Sequence, residues 1–235
     1  MTKPIVLVFG AGGAIGKAIA TWFDGQGYEV WAGSRDAANK HTDKYFKNFT
    51  FNPDISASSL ALSKRSVASV VWAQGANLND NIRNLDINAH RALYEANVTY
   101  VILGLQWLLK NNLLAQSARL CIISSIWQNL AKQDKLSYCV TKSALQGLVQ
   151  SLAIDLGAEG YIVNAVLPGA IDTPMTQTNL SAMQIAELER LTPLGHLATL
   201  DDVANLVGFL CSSNNTGITG QFIAADKGFS NARII

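Results

Sequence analysis

An apolar run at residues 4–9, Pro-Ile-Val-Leu-Val-Phe, breaks directly into Gly10-Ala11-Gly12-Gly13-Ala14-Ile15-Gly16. A continuous apolar run rich in β-branched residues predicts a central parallel strand covered on both faces. After the glycines, Ile15, Ile19, Trp22 and Phe23 fall on one side of a helix. A second strand is predicted at 29–33. Strand, glycine-rich turn, helix and strand make a βαβ unit with the turn at the helix N-terminus. Glycines there let the backbone approach a pyrophosphate, and the helix end supplies free N–H groups and a favourable dipole. A glycine-rich turn alone is often a tight turn and nothing more. The strand before it and the helix after it carry the dinucleotide reading.

The rest of the chain continues that alternation. Short strands are predicted at 48–51 and 67–72, the latter ending in the small-residue turn Ala73-Gln74-Gly75-Ala76. Helical periodicity runs from about 85 to 114 through Leu93, Ala96, Tyr100, Leu103 and Trp107, with Asn97 inside it. An Asn in mid-helix is unfavourable, so its side chain is either exposed or answers a need in the interior. A strand is expected at 120–124, a long helix at 136–156, a strand at 161–167 closing at Pro168-Gly169, a helix at 201–210 and a last strand at 221–224. Residues 173–197 read as an excursion above the sheet. With no linker, repeat or low-complexity tract, the expectation is one domain, 1–235. Its fold class is α/β, a doubly wound parallel sheet of about seven strands with helices on both faces.

The end of the second strand bears on cofactor type. An acid there bonds a ribose 2′-OH, whereas an Arg receives a 2′-phosphate. The sequence is Gly33-Ser34-Arg35-Asp36. Ser34 and Arg35 favour NADP(H) over NAD(H), with the alternative that Asp36 points inward in place of Arg35.

A second constellation lies mid-chain. Tyr138 and Lys142 share a face of the helix at 136–156, and Ser125 closes the strand 13 residues before Tyr138. A hydroxyl beside that face is placed to hold a carbonyl oxygen and pass it a proton. Taken singly, these are a core-edge aromatic, a solvated lysine and an ordinary strand end.

Composition narrows the partners. A formal net charge of +1 gives no electrostatic case for nucleic acid or an anionic membrane. No apolar run nears the roughly 18–20 residues of a spanning helix, and the N-terminus shows no signal-peptide pattern. Three cysteines without metal-ligand spacing, and His41, His90 and His196 in separate regions, predict neither a disulfide framework nor a metal site. A reducing cytoplasm is the expected location.

Together these residues resemble the compact, classical single-domain form of the short-chain dehydrogenase/reductase family, over essentially the whole chain, and imply its Rossmann-like fold. The turn at 10–16 is similar to the family's TGxxxGxG, Tyr138-x-x-x-Lys142 to its YxxxK, and Ser125 to its catalytic Ser by spacing. Asn97-Val98-Thr99 is similar to its helix Asn, Pro168-Gly169-Ala170-Ile171-Asp172-Thr173 to PGxIxT, and Asp54-Ile55 to its adenine-contacting pair. The resemblance implies cofactor contacts from Gly10, Gly12, Gly13, Ile15, Gly16, Ser34, Arg35, Asp54, Ile55, Ala73, Gly75, Tyr138, Lys142, Pro168, Gly169, Ile171 and Thr173.

The implied reaction is hydride transfer between NADP(H) and a carbonyl or alcohol substrate. Free Tyr has a pKa of about 10, and an adjacent Lys142 ammonium is expected to lower it. Tyr138 is then the general acid/base and Lys142 its tuner and a donor to the nicotinamide ribose. Ser125 hydrogen-bonds the carbonyl oxygen, and Asn97 is implied to hold a water between Lys142 and solvent. Trp127, Asn129, Met175 and Leu180 are expected to flank the substrate. Relatives also imply a homo-oligomer, tetramer or dimer, burying the helices at 85–114 and 136–156. The departures are Phe9 for the family's Thr, Ala14 for its middle Gly, Trp72-Ala73-Gln74-Gly75 for NNAG, and Asp226-Lys227-Gly228 for DGG. Two other readings stay open: a non-catalytic dinucleotide-binding regulator, disfavoured because Tyr138 and Lys142 are both present, and an enoyl reductase, disfavoured by the four-residue Tyr–Lys spacing.

Overall fold

The computed structural model describes residues 3–35, 46–53, 66–173, 176–177 and 180–231. Asp36, His41, Asp54, Ile55 and Met175, named above, lie outside them. The strands are β1 (Ile5–Phe9), β2 (Glu29–Ser34), β3 (Lys47–Thr50), β4 (Val67–Trp72), β5 (Leu114–Ile123), β6 (Ile162–Pro168) and β7 (Phe222–Ala225). All pairings are parallel, in the order β3-β2-β1-β4-β5-β6-β7. The order reverses between β1 and β4, and a ligand crevice opens at the carboxyl ends of strands at such a reversal.

The period-two alternation of strand side chains sorts the core into two layers. Leu7, Phe9, Val70, Trp72, Leu120 and Ile122 face one side, against α3 (Tyr100–Lys110) and α4 (Leu136–Asp155). Val6, Val8, Val71 and Cys121 face the other, against α1 (Ala14–Gly25) and α6 (Leu200–Leu210). Both layers are apolar, which is why the central strands read as unbroken hydrophobic runs.

The stretch expected to be one helix from 85 to 114 is different. It comprises α2 (Ile87–Tyr94), a π-helical turn at Glu95–Thr99, and α3. Helix α3 then stops at Lys110, because Asn112 adopts φ 52° and Leu113 N–H reaches back to Leu108 O at 3.0 Å. That is a Schellman closure with Asn in the left-handed position. Strand β5 accordingly begins at Leu114, six residues before the expected 120. A register shift between Val67 and Ser69 and a left-handed Ser117, φ 59°, break the alternation that would have announced the early part of β5. Helix α5 (Ala182–Arg190) forms within the 173–197 excursion and opens with a capping box between Ser181 and Gln184.

Candidate active site

The first cleft lies over the glycine turn, encloses about 390 Å³ and is lined by Gly10, Gly12, Gly13, Ser34, Arg35, Gln74 and Gly75 among others. Gly10 has φ 78°, and a Cβ there would stand 2.5 Å from Gln74 N. Side chains at Gly10 and Gly16 would collide with backbone: at Gly16 the obstacle is Gly10 O. Helix α1 starts at the cleft with no side-chain cap, so its first N–H groups are left for an anion. Gly13 has an ordinary φ of −79°, and Ala14 follows as the first residue of α1, a helical position that tolerates Ala. The turn therefore keeps its shape without the middle Gly. These features fit the diphosphate of a dinucleotide.

Arg35 lines the cleft, its guanidinium carbon 5.9 Å from the Tyr100 ring centroid. Tyr100 donates to Phe51 O at 3.0 Å, and burial pushes its phenol well above the ordinary range. It serves the guanidinium as a neutral aromatic face.

A second cavity of about 600 Å³ contains Ser125, Trp127, Tyr138, Gly169, Ile171 and Leu180 in its wall. The loop after β4 runs from one space to the other: Gly75 and Ala76 line the first, Asn77 the second. Ser125 caps the short 3-10 turn Ile126–Gln128, accepting from Trp127 N–H at 3.3 Å, and its hydroxyl favours the ionised form of the nearby Tyr138 phenol. Lys142, one turn along α4, is buried and donates to Ile123 O at 3.1 Å. Its Nζ lies 5.6 Å from the Tyr138 ring centroid.

The charge balance differs from the expected one. Burial pushes the Tyr138 phenol up from its ordinary value, and the Ser125 hydroxyl draws it only partly back. Burial also lowers Lys142 to about 8. An ammonium held this deeply and committed to a backbone carbonyl does not lower the phenol in the way the spacing suggested.

Asn97 resolves the question its mid-helix position raised. It is buried in the π turn; its Oδ1 accepts from Ala76 N–H at 2.7 Å, and its Nδ2 donates to Ala76 O at 3.1 Å and Thr141 Oγ1 at 3.0 Å. It thus clamps the loop after β4 to the helix of Tyr138. A π turn inserts one extra residue, which aims this side chain inward.

Other expected residues fall elsewhere. Ile15 and Ala73 pack on the second core layer. Pro168 is buried at the end of β6, paired with Ala225, and Thr173 Oγ1 is hydrogen-bonded to Thr176 Oγ1 at 3.1 Å. Asn129 is exposed outside the cavity. Gln74 was missed: it lines the first cleft, and both atoms of its amide are enclosed without a hydrogen-bond partner. Its departure from the family's Ala at this place was the available signal. Among the described residues no three His, Cys, Asp or Glu side chains gather to hold a metal.

Residues 63–230 match the family model described as "Enoyl-(Acyl carrier protein) reductase". An uncharacterised oxidoreductase of Bacillus subtilis, YmfI, is 26% identical over 95% of this chain and 97% of its own. A cis-4-hydroxycyclohexanecarboxylate dehydrogenase of Sinomonas cyclohexanicum is 29% identical over 96% of both chains. The crystal structure of a gluconate 5-dehydrogenase from Burkholderia cenocepacia, in complex with NADP and tartrate, superposes with a TM-score of 0.89 over 99% of this chain and 97% of that one, at 19% identity, and speaks for the fold. With a family model covering well over half of its length, a seven-stranded parallel sheet and a glycine turn at the strand-order reversal, this chain belongs to the short-chain dehydrogenase/reductase family of oxidoreductases.

Proposed function

We propose that the protein is an NADP(H)-dependent oxidoreductase that moves a hydride between nicotinamide and a carbonyl or alcohol carbon. The observation that carries this reading is that Ser125 and Tyr138 line one cavity, with buried Lys142 against the Tyr138 ring. The bound cofactor supplies the hydride. Tyr138 gives its phenolic proton to the carbonyl oxygen during reduction and recovers it during oxidation. Ser125 donates to the same oxygen as negative charge grows there. Lys142 holds its place under the site through Ile123 O and offers its remaining N–H groups to the nicotinamide ribose. Both Nδ2 hydrogens of Asn97 are used, so its role toward a proton-relaying water falls to the free lone pair of Oδ1.

Gly10, Gly12 and Gly13 hold the diphosphate, and Gly75 leaves space beside Asn97 and Lys142. Arg35 and Ser34 receive the 2′-phosphate. NADP in a structural neighbour and an NADP-dependent relative, an L-rhamnose 1-dehydrogenase from Thermoplasma acidophilum, support this cofactor. Apolar Ile102, Val140 and Ile154, exposed on α3 and α4, support a homo-oligomer. Three free cysteines suit a reducing compartment such as the cytoplasm.

The test measures NADPH and NADH binding and then turnover of a carbonyl panel that includes an enoyl thioester. Tyr138→Phe is expected to bind NADPH and to reduce nothing. Arg35→Ala is expected to lose about tenfold or more in NADPH affinity, one charge-assisted contact, with NADH unaffected. Turnover confined to the enoyl thioester would replace carbonyl reduction with C=C reduction, in which the same phenol protonates an enolate.

A further inference from the structure

Two lysines converge on the second cavity. Lys132 and Lys135 both line it, as do Ser125 and Tyr138. Lys132 Nζ stands 5.7 Å from the Trp127 ring centroid and Lys135 Nζ 5.7 Å from that of Tyr138. Lys135 donates to Asn77 Oδ1 at 2.7 Å and Leu78 O at 3.5 Å, both neutral acceptors.

Among the described residues neither ammonium has a carboxylate partner in an ion pair. The carboxylates nearby are engaged. Asp80 accepts from Ser137 N–H and hydroxyl, Asp134 from Asn81 Nδ2, and Asp226 from Gly228 and Ser230 N–H and the Ser230 hydroxyl. Burial and then the Lys132 charge lower Lys135, against weaker opposing effects from Cys139 and Asp80. Like charges directed into one half-enclosed space repel, and an anion between them relieves the repulsion.

We propose that Lys132 and Lys135 form a subsite for an oxyanion borne by the substrate itself, a carboxylate or phosphate a few atoms from the reacting carbon. This rests on Tyr138 as the proton donor. The short spacing follows because Lys135 lies against the Tyr138 ring. Ile171, Leu180, Leu188, Leu197 and Phe229 add apolar surface to the same cavity, which Thr176, Thr192 and the hydrogen-bonded Asp226 also line. The substrate is therefore a compact molecule with an anion at one end and a carbon skeleton at the other, an oxo or hydroxy acid in the carboxylate case. Lysine, a point charge, does not distinguish carboxylate from phosphate.

The experiment compares 4-oxocyclohexanecarboxylate, its neutral methyl ester and dihydroxyacetone phosphate, by calorimetric titration with NADP+ present and by kcat/KM with NADPH. An anion is expected to bind at least about tenfold tighter than the ester, the factor one charge-assisted hydrogen bond supplies. Preference for the acid identifies a carboxylate and preference for the phosphorylated ketone a phosphate. In Lys132→Met/Lys135→Met the anion-to-ester ratio falls to near one, and Lys132→Met alone, at an exposed position, lowers it part of the way. Equal affinities in the wild type, no binding of either anion, or a ratio unchanged in the double variant overturns the subsite. Failure of Tyr138→Phe to affect turnover, with the ratio still following the lysines, refutes the catalytic reading and leaves the subsite standing.

Discussion

Phe9 and Trp72 stack on each other with ring centroids 5.8 Å apart and planes 16° from parallel. They are register partners at the ends of neighbouring strands β1 and β4. They are also two of the positions where the chain departs from its family's pattern, so those two departures form a single packing unit. Two glycines make room for it. A Cβ on Gly33 would stand 2.6 Å from Phe9 Cδ1, and one on Gly104 would stand 3.3 Å from Trp72 Nε1. Trp72 Nε1 is buried without a partner, which costs about 1–3 kcal/mol that the packing must exceed.

Restoring the family's residues one at a time should therefore be damaging. Phe9→Thr and Trp72→Asn are each expected to destabilise by about 3 kcal/mol, since each opens a cavity under the sheet. The double variant should cost about 1 kcal/mol less than their sum, the share of the ring–ring contact. Urea denaturation of the four proteins checks this; strictly additive losses would mean that the rings pack independently.

Lys227 stands at the middle position of the Asp-Gly-Gly pattern noted for the family and adopts φ 59°. Its Nζ is 2.9 Å from Asp202 Oδ2, with side-chain exposures of 15% and 34% for the two residues. The left-handed conformation costs about 1–2 kcal/mol for a residue with a Cβ, and the partly exposed pair returns up to about 1 kcal/mol. Lys227→Gly loses both and is expected to leave stability within about 1 kcal/mol. Lys227→Ala keeps the strain and loses the pair, so it should be the less stable of the two. Thermal unfolding gives the order, and an Ala variant more stable than the Gly variant would refute it.

Lys142 is enclosed, and burial lowers its pKa to about 8 from 10.5. Below about 8 both folded and unfolded chains hold this proton, and the folded one carries the cost of a buried ammonium. Between about 8 and 10.5 the unfolded chain binds more protons, so stability gains from this group as pH rises. Lys142→Met is expected to be more stable than wild type by about 2 kcal/mol at pH 7, the desolvation cost less one hydrogen bond to Ile123 O. That advantage should vanish toward pH 10.5. Denaturation at pH 7, 9 and 10.5 measures it; a variant less stable at pH 7 would show that the ammonium stabilises the fold.

Much of this architecture was legible because buried parallel strands bounded by glycines have few alternatives. Val67–Trp72 is a strand end to end as its apolar run predicts, and Tyr138 and Lys142 share a helix face as their spacing requires. What escaped depended on geometry that a linear pattern does not encode. The π turn around Asn97 has a helical composition, and only its inward amide reveals it. The first half of β5 is hidden by a bulge. The convergence of Lys132 and Lys135 depends on the loop between β5 and α4, and the pKa of Tyr138 depends on burial more than on its neighbour in the motif.

That last point decides how the reaction should respond to pH. Burial raises the Tyr138 phenol, and the Ser125 hydroxyl draws it partly back. On the proposed reading reduction needs the phenol protonated, so kcat/KM for a carbonyl should stay flat through neutral pH and fall only above the raised value. Oxidation needs the phenolate, so its kcat/KM should climb with unit slope over the same range. Ser125→Ala removes the hydroxyl that favours the phenolate. It is expected to slow reduction by about 10²-fold or more, the scale of one lost oxyanion donor. It should also move the alkaline limb of both profiles to higher pH, because burial then acts unopposed. Ser125→Thr, which keeps the hydroxyl, should restore the position of the limb. Initial rates in both directions from pH 6 to 11 test this. A break near neutral pH in the wild type, or a limb that Ser125→Ala shifts downward, would mean that Lys142 controls the phenol after all.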